Sequence, residues 1–93
     1  MGRWNVKVID LDVSELEPPE PYALAVQHLV SLPDESILNM IHRQEPFPLY
    51  QTADEMGFFH QTTFASEGVV HIYFWHKDDR AAADYLSKQE LLG

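Results

Sequence analysis

A chain of 93 residues, 45% of them hydrophobic and carrying two Trp, four Tyr and five Phe, is one small domain with a modest core rather than a disordered tail. Six Lys/Arg against fifteen Asp/Glu give a net charge of -9, a field that repels phosphate backbones and anionic lipid, so neither nucleic acid nor a membrane is an expected partner. The absence of cysteine excludes disulfides, a thiolate nucleophile and thiolate metal sites.

Val6 to Leu11, partly alternating and rich in β-branched residues, predicts a first strand. Pro18, Pro19 and Pro21 then mark the entry to a helix, because a proline in the first turn gives up only an N–H that has no partner there. Glu17 and Glu20 sit at the positive end of that helix's dipole. Tyr22, Ala25, Val26, Leu29 and Leu32 have the spacing of one buried face, with His28 at its boundary. Ser31 to Glu35 turns the chain into a second strand, Ser36 to His42. A stiff loop, Arg43 to Pro48, leads to a short helix over Leu49–Met56 with Gly57 as its C-terminal cap. Phe58–Phe64 and Val69–Trp75 read as a hairpin turned by Ser66-Glu67-Gly68. Arg80–Leu92 reads as a third helix, capped by Asp78 or Asp79.

The order βαβαββ, with a terminal helix added, predicts an α+β two-layer sandwich: a four-stranded mixed sheet with two helices on one face. A ferredoxin-like βαββαβ arrangement is disfavoured because only one strand lies between the first two helices. The domain is expected over residues 1–77, with 78–93 as a helical extension. No apolar stretch approaches the roughly 20 residues of a membrane span, and Met1 to Val6 lacks the apolar core of a secretory leader, so a cytoplasmic location is expected.

The segment Leu11-Asp-Val-Ser-Glu-Leu-Glu-Pro-Pro-Glu-Pro21 resembles the signature of the TusA/SirA-like sulfur carriers, Leu-Asp-x-x-Gly-Leu-x-Cys-Pro-x-Pro. Together with Ile41-His-Arg-Gln-Glu-Pro-Phe-Pro-Leu-Tyr50 and Met56-Gly-Phe58, it also resembles the bacterial family called domain of unknown function 2249, similar to the TusA-like fold and without an assigned activity. The resemblance runs from about Val8 to Trp75. In the sulfur carriers the cysteine opens the first helix, where free N–H groups stabilise a thiolate. Here that position is Pro18, and with no cysteine elsewhere persulfide transfer is chemically excluded.

Two strands joined by a helix are expected to run parallel and to end on the same edge, which is where ligands gather in such units. That edge would collect Asp12, Glu17, Glu20, His42, Arg43 and Glu45, with Tyr50 nearby. His42 and Glu45 suggest two ligands of a divalent metal or a proton-transfer pair. The structural alternative has His42 bonded to loop carbonyls while Glu45 pairs with Arg43 or caps the second helix. His60 is expected opposite or near His71 across the hairpin, and His76 on the other face of the strand from His71. Tyr73 and Trp75 would occupy the sheet face away from the first two helices, covered either by a second subunit or by Tyr85, Leu86, Leu91 or Leu92 of the terminal helix; a homodimer is the expectation preferred. No phosphate-binding glycine loop, nucleophile elbow or Ser-His-Asp order is present, so no enzyme and no cofactor is read. The leading expectation is a non-catalytic module that binds a protein or small ligand. The alternative is a metal-binding or redox-linked accessory using His42 and Glu45, as the family's association with bacterial nitrogen-oxide and redox metabolism implies.

Overall fold

The structure, a computed structural model, describes residues 5–88. Its elements are β1 (Lys7–Asp12), α1 (Glu20–Val30), β2 (Ser36–His42), α2 (Phe47–Glu55), β3 (Phe58–Ser66), β4 (Val69–His76) and α3 (Arg80–Lys88). The sheet runs β1-β2-β4-β3, with β1 and β2 parallel and the other two pairings antiparallel. The fold is therefore α+β, with the βαβαββ order and the added terminal helix expected.

Proline defines both helix starts. Pro19 and Pro46 stand at the N-caps, and Pro21 and Pro48 lie inside the first turns, where no N–H is needed. This is why α2 begins at Phe47 rather than Leu49: Pro48 is part of its first turn rather than of the loop before it. Gly57, at φ +96°, ends α2 in the left-handed conformation that glycine adopts without steric cost. On α1 the buried positions are Pro21, Ala25 and Leu29, with Leu32 just beyond. Tyr22 is not on that face as expected. It is 40% exposed and reaches sideways, its hydroxyl 2.6 Å from Thr52 Oγ1 of α2.

Alternation places the core. Leu38 and Met40 of β2 share a face with Val70, Ile72 and Phe74 of β4, and these pack beneath Ala25 and Leu29 of α1 and Leu49 and Ala53 of α2. The intervening residues point the other way. There Ile37 and Trp75 meet Ala82 and Leu86 of α3, so α3 covers one end of the opposite sheet face. Asp79 fixes that helix: Oδ1 accepts the Ala82 N–H (3.0 Å) and Oδ2 accepts the Glu35 N–H (2.8 Å) from the turn before β2. Trp75 is thus 7% exposed beneath the chain's own helix, which removes it from any open aromatic surface, and Tyr73 is half-buried beside it. Leu91 and Leu92 lie outside the described residues.

The hairpin turns at Glu67-Gly68, with Gly68 at φ +76°. A β-bulge between Phe64 and Ser66 makes Ala65 an extra residue. One extra residue inverts the facing of the whole strand. Phe58, His60, Thr62 and Phe64 consequently share the helix side with Phe74 and Ile72, and His60 pairs with Phe74 while His71 pairs with Thr63. The expected His60–His71 proximity is wrong for this reason: the two rings are on opposite sides of the sheet.

Candidate functional site

β1 and β2 end together, and their exit loops meet. A pocket of about 170 Å³ opens where they do, walled by Pro18, Pro19, Pro21 and Tyr22 from the first loop and helix. Pro46, Pro48 and Leu49 form the facing wall, and His42, Gln44 and Glu45 supply its polar groups. Five prolines hold this cavity open without requiring backbone donors, a stiff lining that orders little on binding.

His42 is buried at the end of β2, and its Nδ1 accepts the Arg43 N–H at 2.9 Å. An occupied Nδ1 lone pair leaves the neutral ring with its proton on Nε2, a donor. Burial, aided by the Arg43 cation, holds the His42 pKa below the ordinary imidazole value, which favours this neutral form. Glu45 is held from behind. Tyr50 donates its hydroxyl to Glu45 Oε2 (2.9 Å), while Thr62 Oγ1 lies 2.6 Å from the same hydroxyl and serves as its donor. The Tyr50 ring stacks on His60, centroids 3.9 Å apart and planes within 7°. Burial, with the Glu45 carboxylate adding to it, pushes the Tyr50 phenol up to about 12. The His60 edge is exposed, but its face lies against Tyr50, and this desolvation lowers its pKa despite the opposing pull of Glu45 and Asp54.

The expected edge residues divide. His42 and Glu45 line the pocket itself. Glu17 and Arg43 meet beside it in an adjoining recess with Leu16, Pro18, His42 and Gln44. Tyr50 supports Glu45 from α2. Glu20 is an exposed residue of the first turn of α1. Asp12 belongs to neither group: it points to the sheet face away from α1 and α2, and its Oδ1 accepts the Ser14 N–H (3.0 Å) and hydroxyl (2.7 Å), bonds that lower its pKa. Glu45 neither pairs with Arg43 nor caps α2 through its side chain, since α2 has no side-chain cap. The metal expectation rests on His42 and Glu45 alone: His42 Nδ1 accepts the Arg43 N–H, Glu45 Oε2 accepts the Tyr50 hydroxyl, and among the described residues no three His, Asp or Glu side chains gather as a ligand set.

Tyr22, Gln44, Leu49 and the Thr62–Tyr50 link are site features the chain order did not disclose. The opposite sheet face holds a separate polar chain. Asn39 Nδ2 donates to Asp10 Oδ1 at 3.0 Å, which fixes its Oδ1 toward His71, 3.2 Å from Nδ1. Trp75 Nε1 is buried there without a hydrogen-bond partner.

A family model described as an uncharacterized conserved protein, DUF2249, matches residues 10–76, from within β1 to the end of β4, leaving α3 outside. No curated protein and no solved structure matches the chain.

Proposed function

The chain belongs to that family of uncharacterized conserved proteins, and from this premise we propose that it is a non-catalytic binding module whose ligand occupies the proline-walled pocket at the ends of β1 and β2. The observation that carries the reading is the meeting of two proline-rich loops, far apart in sequence, around a buried neutral histidine and a carboxylate held in place by a tyrosine. Such a lining suits a small uncharged body with a polar tip. Apolar walls receive the body, His42 Nε2–H donates to a carbonyl, and Glu45 accepts from an N–H. A neutral amide on an apolar group, whether a free small molecule or a side chain of a partner protein, presents that pair of functions. By the resemblance of its first proline segment to the sulfur carriers, Pro18 stands where their thiol would be, and it forms part of the wall instead of a reagent.

Benzamide is a suitable probe. Titrated into 15N-labelled protein, it is expected to shift the amide resonances of Tyr22, Gln44 and Leu49 with an affinity on the order of millimolar, typical for a ligand of few atoms. Gln44→Trp, which fills the mouth from an exposed position, is expected to abolish those shifts while leaving the thermal midpoint unchanged. Shifts confined to other surfaces, or no saturable binding, would refute the assignment.

A further inference from the structure

The sheet has two free edges, and they differ in charge. β1 places Lys7, Asp10 and Asp12 within six residues, the charged edge by which natural sheets discourage strand addition. β3 runs nine residues, Phe-Phe-His-Gln-Thr-Thr-Phe-Ala-Ser, with no Lys, Arg, Asp, Glu or Pro. In a chain where 23% of residues are charged, this strand carries no such obstacle of its own, although Lys77 Nζ lies 5.6 Å from the Phe59 ring centroid. Its composition favours strand pairing, and Phe59 and Phe64 are 48% and 70% exposed on its two faces. The outward N–H and C=O groups of an edge strand have no partner within the sheet.

The geometry points to β3 as the seam of a symmetric homodimer, in which β3 of a second copy adds antiparallel and extends the four-stranded sheet to one of eight. Charge selects this occupant. A basic partner strand would be matched by an acidic edge, and β3 is not acidic. A second copy brings its own net charge of -9, so two such chains approach at least electrostatic cost along a strand with no carboxylate of its own. The regular part of β3 before the bulge, Phe58 to Phe64, is centred on Gln61. A two-fold axis there places Gln61 opposite the partner's Gln61, His60 opposite the partner's Thr62, and the exposed Phe59 opposite the partner's Thr63. Ala65, displaced by the bulge, ends the ladder at both extremities. No seam residue lines the pocket, although His60 and Thr62 of β3 also support Tyr50 behind Glu45.

Sedimentation of the full chain at roughly 100 µM is expected to give twice the monomer mass, dissociating on dilution, as an interface of this size implies. Gln61→Lys sets two like charges face to face on the axis, and Phe64→Lys replaces an exposed aromatic with a charge at each end of the seam. Each is expected to yield monomer with an unchanged circular dichroism melt. Val8→Lys, exposed on β1 at the opposite edge of the sheet, is expected to remain dimeric. Should the lysine variants fail to fold, hydrogen exchange of the wild type decides: β3 amides are expected to lose protection on dilution while β2 amides keep theirs. A wild type that is monomeric at that concentration, a dimer that survives in folded Gln61→Lys, or β3 exchange that ignores dilution would each overturn the proposal.

Discussion

Replacing Tyr50 by Phe removes one oxygen from the support of the pocket and leaves the ring stacked on His60. That oxygen makes two hydrogen bonds, one to the Glu45 carboxylate and one from Thr62. A neutral hydrogen bond contributes about 1 kcal/mol and one to a charged group about 1.5–3 kcal/mol, but the site is only half-buried and water can replace part of both. The expected loss is therefore about 1–2 kcal/mol, or roughly 4–16 °C in Tm for a domain of this size. Urea denaturation measures it directly, and a cycle with Glu45→Gln is expected to show a coupling of at least about 0.5 kcal/mol. The pH dependence supplies an internal check. With the folded-state phenol raised from 10.0 to about 12, the folded protein retains a proton that the unfolded chain has lost. This contribution is complete below pH 10.0 and disappears as pH climbs to about 12, and Tyr50→Phe is expected to delete that part of the alkaline decline. A loss below about 0.3 kcal/mol, with an unaltered alkaline limb, would refute the reasoning that Glu45 is held by Tyr50.

Leu86→Ala opens the small second core beneath α3, where Leu86 is fully buried against Trp75, and is expected to cost about 2–3 kcal/mol in a denaturant melt and to red-shift tryptophan emission. Gly57→Ala meets no neighbouring atom, so its expected cost of about 1 kcal/mol comes from the positive φ alone; a neutral result by thermal melt would show that the turn relaxes. His42 and His60 both have lowered pKa values, so below the ordinary 6.5 the unfolded chain binds protons that the folded one resists. Stability is therefore expected to fall as pH drops from 7 through that range, and His42→Asn to flatten the slope in urea melts taken across it.

Much of this architecture was legible because it follows from local chemistry. Proline and glycine punctuate the helices, and β-branched alternation marks the strands. Parallel pairing of β1 with β2 then obliges the loops around Pro18 and Pro46 to converge, which is why His42 and Glu45 were found at the pocket. Side-chain facing was not legible near the bulge. Nothing in Phe64-Ala65-Ser66 announces an extra residue, yet it alone decides that His60 and Thr62 face α2 rather than His71. The support of Glu45 by Tyr50 and Thr62 was hidden for the same reason, since it needs the correct face of β3. Asp12 failed as an edge residue through parity, lying one position past Leu11 and hence on the opposite side of the sheet. Sequence alone leaves the role of α3 between two alternatives, because only packing shows that Trp75 is buried by Ala82 and Leu86.

The pocket is the centre of this account, and intermolecular nuclear Overhauser effects test it most directly. With benzamide bound, contacts are expected from its ring to the Leu49 methyls and the Tyr22 ring, and from its amide to His42. Contacts to the Tyr73 side of the sheet instead, with none to Leu49, would contradict it.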